Sequence, residues 1–370
     1  MEMLRQGRDS TRMREVGTIH RALSMFQVDR PTVSLGLPNT IYVSIPDTST
    51  TCTNLGLPTL PLGWSYRCVD AINLRRIDSH GWIPIDFTSI FQGSPLASLP
   101  IDPTNTAVSS NFYVYVTDGR TWAIASLMES ERHAPSATRD GGTDAARFEA
   151  GNNLALWTTA SGLVGYWSFD EGTGTTARDL SGRGNNGNLL PALSPPTWTT
   201  GRGGGALRFD GVDDIVSILH STSLNITGAI TIEAWVRRNA LDHRHDILGK
   251  SGEGYNFFIE SSTLQHRLVF QAQDTGGTWR NVGSAANAVP NTNWHHVVVT
   301  YERPTVRFYV NGRDWGIGIR DFDMRSTTGP LHIGGMSGWA VFFNGLIDEV
   351  RIYNRALTEA EIRANFNATR

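Results

Sequence analysis

Acidic and amide side chains collect in turn-rich parts of the second half of this 370-residue chain. Asp179 and Asn185 lie in one glycine-rich segment, Asp210 and Asp213 lie in a second, and Asp348 opens a later apolar run. Calcium takes about six to eight oxygen ligands, including the backbone carbonyls that glycine-rich loops expose. The five residues are therefore candidate calcium ligands, with Asp179, Asn185 and Asp348 first. The alternative is that they only stabilise turns.

Three tryptophans offer a second kind of chemistry. Trp279, Trp315 and Trp339 stand beside Gly, Asn or Arg in segments that the sequence predicts as loops. An indole in such a place can stack on a sugar ring or fill a pocket of a protein partner. These three are the candidate ligand-binding residues, and the alternative for each is packing against its own domain.

The two cysteines, Cys52 and Cys68, bound a polar, turn-rich stretch. A bridge that closes a loop of roughly 15 residues contributes about 3 kcal/mol in the chain-entropy description. The pattern predicts a disulfide, and the alternative is two unpaired thiols. Zinc would need more ligands than this stretch offers. A bridge would place the protein in an oxidising, extracytoplasmic compartment.

Length and composition exclude several classes of protein. A chain of 370 residues exceeds the usual size of one hydrophobic core, and 39% hydrophobic residues can fill two. The formal net charge of -3 and the lack of a Lys/Arg run argue against nucleic-acid binding. The sequence has neither a run of about 18 apolar residues nor the apolar core of a secretory signal. We therefore expect a soluble chain of two domains.

The first half predicts a helix followed by a sheet. Apolar residues recur at spacings of three or four through the first thirty residues, among them Val16, Ile19 and Leu23, which predicts one amphipathic helix. Apolar alternation then predicts an antiparallel sheet against which this helix packs, with strands at 83–87, 112–116 and 122–127.

The composition changes after the predicted sheet. Residues 131–162 are rich in Gly, Ala, Thr and Asn, which predicts a linker or extension that packs in part on one domain. Strand alternation then runs through the second half, for example at 230–236 and 294–301. The dipeptide Asn311-Gly312 predicts a tight hairpin turn, because both positions tolerate positive φ. Thr358 and Glu361 have the spacing of a capping box before a short terminal helix.

Four motifs of the second half resemble the laminin G-like, concanavalin A-like jelly roll. They are GYWSFD at 165–170, DLSG at 179–182, FDG at 209–211 and GLIDEVRIYN at 345–354. The resemblance covers residues 163–370 and implies an all-β sandwich of two packed antiparallel sheets. Members of this family often carry a structural calcium, and they serve as recognition modules more often than as enzymes.

The first half resembles the globular part of a type IV pilin or pseudopilin. The motifs that carry the resemblance are RD at 8–9, GSPL at 93–96, LPIDPTN at 99–105, YVY at 113–115 and ASLME at 125–129. It implies an α+β domain over residues 1–130, with the N-terminal helix on an antiparallel sheet. The predicted organisation is thus a pilin-like domain at 1–130, a linker or extension at 131–162 and a laminin G-like domain at 163–370.

The apolar N-terminal helix of the pilin family is not part of this sequence, and Glu2 is not followed by an apolar run. We expect either that the sequence begins after that helix or that the natural chain lacks it. In the family this helix spans the membrane and makes the contacts between subunits. We therefore expect this chain to be a monomer in solution, with other pilin subunits as partners only through the missing helix.

Concanavalin A-like folds also include glycoside hydrolases, which need two carboxylates across the scissile bond. Their usual run Glu-x-Asp-x-x-Glu does not occur here, and the adjacent Asp348 and Glu349 would face opposite sides of a strand. His295 and His296 would likewise face opposite sides, so they make no shared site. No nucleophile elbow, phosphate loop or zinc-protease motif occurs. We expect no catalytic residues and no enzymatic activity.

Taken with the resemblances, these observations predict an extracellular filament subunit. The pilin-like domain would display the jelly roll for adhesion or for recognition of a surface glycan or protein, and the protein would be membrane-anchored before assembly if the missing helix exists. A secreted carbohydrate-binding accessory or a degenerate jelly-roll hydrolase is one alternative. A purely structural pilin, whose jelly roll only coats the filament, is the other.

Overall fold

The computed structural model of the protein describes residues 2–57, 60, 64–137, 139–142, 144, 146–154, 156–157, 161–241, 243–252, 254–260, 265–336, 338 and 340–369. The chain divides into two compact units, unit 1 (Met1–Gly162) and unit 2 (Leu163–Arg370). Each unit has its own hydrophobic core.

Unit 1 begins with a long helix, α1 (Glu2–Asp29), where the apolar spacing predicted one. Its other described elements are β1 (Thr40–Val43), β2 (Ser65–Arg67), β3 (Tyr113–Thr117), β4 (Trp122–Leu127), α2 (Ala134–Ala137) and β5 (Arg147–Gly151). The strands form one sheet in the order β2-β1-β3-β4-β5. The sheet is antiparallel, as predicted, except that β1 and β2 run parallel.

Both faces of this sheet are covered. Val16 and Leu23 of α1 are fully buried and share a core with Tyr113 and Tyr115 of β3. Successive strand residues point to opposite faces, so Val114 belongs to a second core on the other side. The disulfide between Cys52 and Cys68 lies in that second core, with Cα atoms 5.4 Å apart, and confirms the predicted bridge.

One prediction for unit 1 was wrong. Residues 83–87 do not form a strand, because the backbone turns there and the Ile85 N–H donates to the Ile83 carbonyl at 2.9 Å. Their apolar alternation instead reflects the burial of an irregular segment in the core that contacts α1. The described residues of 131–162 supply α2 and β5, and β5 pairs with β4, so this segment extends the sheet of unit 1.

A buried ion-pair network joins α1 to the segments around the sheet. The Arg12 side chain is fully buried, and its guanidinium donates to Asp102 at 2.6 and 3.0 Å, to Asp9 at 2.8 Å and to Glu129 at 2.5 Å. Arg8 donates to the same Glu129 carboxylate at 2.7 and 2.9 Å. Burial alone would lower the pKa of Arg12. The hydrogen bond with Asp102 and the negative charges of Asp102 and Glu129 outweigh that effect, so the pKa is raised.

Unit 2 is built from strands and ends in a helix. Its first described strands are β6 (Leu163–Trp167), β7 (Thr176–Ala177), β8 (Gly187–Leu190), β9 (Thr197–Thr200), β10 (Gly205–Asp210), β11 (Ile215–Ile218), β12 (Ile230–Arg238), β13 (His245–Lys250) and β14 (Tyr255–Ile259). The later elements are β15 (Leu268–Gln273), β16 (Trp279–Gly283), β17 (His295–Glu302), β18 (Thr305–Val310), β19 (Arg313–Ile319), β20 (Leu331–Ile333), β21 (Gly335–Met336), β22 (Val341–Phe342), β23 (Asn344–Tyr353) and α3 (Glu359–Ala368).

These strands make two eight-stranded sheets and one small pair. The first sheet has the order β19-β18-β17-β12-β23-β10-β9, with β6 also paired to β23, and the second has the order β16-β15-β14-β13-β20-β11-β8-β7. Their inner faces share one large core, so unit 2 is a jelly-roll-like sandwich, as predicted. Asn311 and Gly312 have φ of 52° and 71° in the β18–β19 turn, and Thr358 and Glu361 form the predicted capping box.

Candidate functional site

Asp179 and Asn185 lie in one loop, and their side chains hold it together. The Asp179 carboxylate accepts hydrogen bonds from the backbone amides of Tyr166 (3.0 Å), Ser181 (2.9 Å) and Asn185 (2.8 Å). The Asn185 side-chain amide is buried and donates to the Val164 carbonyl at 2.7 Å. These bonds use the same oxygens that a cation would need, so the geometry here fits the turn alternative.

Asp348 lies elsewhere, on β23, and is 1% exposed. Its Oδ2 accepts the Arg202 backbone N–H at 2.8 Å. Burial, together with the nearby negative charges of Glu349 and Asp170, raises the pKa of Asp348 to about 8. A carboxylate in this position is destabilised in its charged form unless a cation joins it.

A glycine-rich turn encloses Asp348 and Asp170. The Asp170 Oδ1 accepts the Gly205 N–H at 2.6 Å. A Cβ on Gly201 would lie 2.5 Å from Asp348 Oδ2, and one on Gly204 would lie 2.2 Å from Asp170 Oδ1. Only residues without a side chain can approach both carboxylates this closely. One oxygen of each carboxylate thus accepts a backbone N–H, and the second oxygen of each is the one that a hard cation could use.

Asp210 and Asp213 belong to a third group. Their carboxylate oxygens and those of Asp214 lie within 4.8 Å of one another, and within the described parts of the chain this is the one cluster of three His, Cys, Asp or Glu side chains at that spacing. Asp214 is 4% exposed, and its Oδ1 has no hydrogen-bond partner. Burial, followed by the charges of Asp210 and Asp213, raises the pKa of Asp214 to about 6. The five predicted metal ligands thus fall into three groups rather than one site.

The three candidate tryptophans have different outcomes. Trp279 begins β16 and Trp315 lies within β19, so both are on edge strands and the prediction of loops was wrong. The glycines beside Trp315, Gly316 and Gly318, belong to the strand itself. Trp339 lies outside the residues that the structure describes.

Trp315 lines a cleft of about 440 Å³. The indole is half-buried and packs against the sandwich core, which fixes its orientation. The other described lining residues are Asn287, Ala288, Pro290, His295, Val310, Asn311, Arg313 and Phe366. The lining therefore combines aromatic and apolar surface with amide, imidazole and guanidinium groups, and contains no acidic side chain among its described members.

Backbone hydrogen bonds position the cleft walls. The Ala285 N–H donates to the Trp315 carbonyl at 2.8 Å, and the Asn311 Oδ1 accepts the His296 N–H at 3.0 Å. The His295 Nδ1 lies 2.9 Å from the Asn293 carbonyl. Burial, followed by the charge of a nearby arginine, Arg238, lowers the pKa of His295.

The sequence pointed to Trp315 as a binding residue but not to the other residues that line the cleft. Its walls come from four separate segments, at 287–290, 295, 310–315 and 366, which only strand pairing and the placement of α3 bring together. The Asn311-Gly312 signal was assigned to a turn, although Asn311 also lines the cleft.

Unit 1 carries a larger cleft of about 700 Å³, lined mainly by residues 31–36 and 118–120. Its described lining includes no aromatic side chain. Over the described residues of both units, no helix combines the length and apolar character that crossing a membrane requires.

Residues 210–363 match the laminin G family described as the concanavalin A-like lectin/glucanases superfamily. This domain of the chain is therefore laminin G-like, as the motifs predicted. Solved structures are similar over 55% of this chain. One is the binding domain of Paraclostridial Mosquitocidal Protein 1, at 19% identity, TM-score 0.44 and 52% coverage of that chain.

Two further similar structures come from other proteins. One is domain 4 of AbnA, a GH43 extracellular arabinanase from Geobacillus stearothermophilus, in complex with arabinotriose, at 19% identity, TM-score 0.44 and 97% coverage of that domain. The other is the binding domain of Botulinum neurotoxin serotype G, at 15% identity, TM-score 0.45 and 50% coverage. This chain thus spans about half the length of the two toxin binding domains that it matches.

Proposed function

We propose that unit 2 is a glycan-recognition module that binds a sugar in the Trp315 cleft. The observation that carries the proposal is the composition of the cleft, in which a fixed indole stands among amide, imidazole and guanidinium groups. Aromatic rings cover the apolar C–H face of a sugar, while a few placed polar groups fix its hydroxyls. The laminin G-like fold of residues 210–363 is compatible with this role.

The proposal predicts that Trp315→Ala abolishes sugar binding. The full chain is first screened on a glycan array that includes arabinotriose, and hits are then measured by calorimetric titration. Trp198→Ala is the matched control, because Trp198 is also a partly buried indole packed against the same core but does not line the cleft. Equal loss in both variants, or no binding to any glycan, would count against the proposal. In the second case a protein ligand or a purely structural role becomes the better account.

The proposed role is binding rather than catalysis. Glycoside hydrolysis usually needs two carboxylates on either side of the scissile bond, whereas the described lining of the cleft has neither Asp nor Glu. Incubation with polysaccharides that the array identifies should release no reducing ends. Turnover that disappears in Trp315→Ala would instead support the alternative of a jelly-roll hydrolase.

We also propose that calcium stabilises unit 2. The residues that fit it best are Asp348 and Asp170 with the turn at 201–205, since Asp348 is buried and glycines of that turn closely approach both carboxylates. Asp210, Asp213 and Asp214 form the second place to test. When bound, the ion would neutralise the buried Asp348 carboxylate and hold β23, the segment after β6 and the turn together.

The wider context is a proposal as well. The disulfide supports an oxidising, extracellular location. The order of motifs in unit 1 supports a pilin-like body that displays unit 2 on a surface filament. Immunogold labelling of the producing cells tests this directly. Label along filaments is the expected result, and label confined to the culture medium would favour a secreted accessory protein.

A further inference from the structure

The strand pattern of β12 places an arginine inside the sandwich. Residues 230, 232, 234 and 236 are aliphatic and fully buried in the core, and Arg238 follows on the same face. The side chain is 1% exposed. Its position is therefore set by the strand and not by a flexible loop.

Arg238 lies directly behind the wall of the Trp315 cleft. Its Nη2 donates to the Val289 carbonyl, and Val289 stands between two lining residues, Ala288 and Pro290. In the β12–β17 pairing, His295, a further lining residue, is opposite Val236. The lining residues Ala288, Pro290 and His295 therefore lie close to the Arg238 side chain, between it and the open cleft or beside it.

No carboxylate compensates this charge among the residues that the structure describes. The Nε and Nη1 of Arg238 have no hydrogen-bond partner. Burial lowers the pKa of Arg238 to about 10, and no acidic group opposes that effect. Burying a charge is unfavourable unless it is paired and hydrogen-bonded. An anion that bound beside Arg238 would reduce the free-energy cost of burying its charge.

A second cation stands at the cleft itself. Arg313 is exposed and lines the cleft at the start of β19. Its acidic neighbour in the chain, Asp314, pairs with Arg307 at 3.1 Å. The cleft therefore has positive charge at its rim and behind its wall, without a negative charge in its described lining.

We propose that the Trp315 cleft selects acidic sugars, with a carboxylate directed toward Arg238 and Arg313 while the sugar ring stacks on Trp315. This inference rests on the proposed glycan recognition and names the class of sugar. Guanidinium and carboxylate groups match as planar, two-point hydrogen-bonding partners. Binding requires the 288–290 wall to move enough for the carboxylate to contact Arg238.

The test compares matched acidic and neutral sugars on the full chain. The pairs are trigalacturonate with its methyl ester and sialyllactose with lactose, measured by calorimetric titration. We expect at least one acidic member to bind about 10- to 100-fold more tightly than its neutral partner. Arg238→Met and Arg313→Gln should each remove most of that preference, so that the acidic and neutral members of a pair bind with nearly equal affinity.

Controls keep the inference separate from the proposed function. Arg320→Gln removes an exposed arginine beyond the far end of β19 and should leave the preference intact. If Arg238→Met does not fold, Arg313→Gln decides. Equal affinity for both members of each pair, lost together in Trp315→Ala, overturns the acidic preference but keeps glycan recognition. Failure of all four sugars to bind overturns the inference, and silence across the whole array overturns the proposed function too.

Discussion

Two buried arginines, one in each unit, lie in opposite electrostatic environments. Arg12 is fully buried among Asp9, Asp102 and Glu129, and every branch of its guanidinium has a carboxylate partner. Arg238 is equally inaccessible, but its Nη2 donates to a backbone carbonyl, and its Nε and Nη1 have no partner among the described residues. The pKa of the first is raised and that of the second is lowered. A satisfied charge is a structural element, whereas an unsatisfied one beside a cleft points to a ligand.

The largest expected effect on stability comes from substituting Arg12. Arg12→Met leaves two buried carboxylates without a counter-charge and should destabilise unit 1 by about 3–5 kcal/mol. Arg238→Met removes an unpaired buried charge and should leave the free energy of unfolding unchanged or increase it. Hydrogen exchange with mass spectrometry reports each unit separately. Equal costs for the two variants would contradict the distinction.

The disulfide should matter for unit 1 alone. Cys52 and Cys68 are separated by 16 positions, and a loop of that size is worth about 3 kcal/mol in the chain-entropy description. Replacing both cysteines with serine should therefore increase exchange in unit 1 and leave unit 2 unchanged. An unaltered unit 1 would mean that the surrounding core already holds the segment.

Calcium should act on unit 2 alone. A ligand that binds only the folded state at about 100 times its Kd stabilises by about 2.7 kcal/mol. Calcium should raise the melting temperature of unit 2, and Asp348→Asn should abolish most of that rise. Asp213→Asn is the matched exposed control for the second acidic group. Melting that a chelator leaves unchanged, or a rise lost only in Asp213→Asn, would reject the Asp348 site. Magnesium should substitute poorly, because it prefers a rigid octahedron.

A third buried cation, Lys250, should have the smallest effect, which is on the pH dependence of stability. It is 1% exposed and contacts the Gly329 carbonyl and His220, and burial lowers its pKa to about 8. Between about pH 8 and 10.4 the unfolded state holds more protons, so this group makes stability rise with pH by at most about 1.4 kcal/mol per unit. Lys250→Met should remove that rise from urea unfolding curves. Parallel pH profiles for both proteins would show that the lysine is not perturbed.

The elements were more predictable from sequence than the sites. Local periodicity predicted α1, the inner strand faces and the capping box, because each depends on residues close in the chain. Arg238 could not be recognised in the same way. It follows Arg237 at the end of a strand, and a pair of arginines there is typical of a solvated edge. The pairing of β12 with β23, in which Arg238 lies opposite Gly345, and the wall at 288–290 bury it.

The calcium ligands were also hard to choose from the sequence, for a related reason. Asp179 has the residue type and loop that calcium uses, but three nearby backbone amides occupy its oxygens. Asp170, which was not predicted, comes near Asp348 because β6, which precedes it, pairs with β23, and the 201–205 turn donates an N–H to each carboxylate. The residue type therefore indicates which side chains could bind a metal, whereas local hydrogen bonds determine which of their oxygens remain available.

The most direct test of the central claim is a crystal structure of the full chain with the acidic sugar that binds most tightly. We expect a sugar ring on Trp315, with its carboxylate within hydrogen-bond distance of Arg313 or Arg238 and the 288–290 wall displaced. A sugar bound outside this cleft, or one whose carboxylate faces solvent, would contradict it.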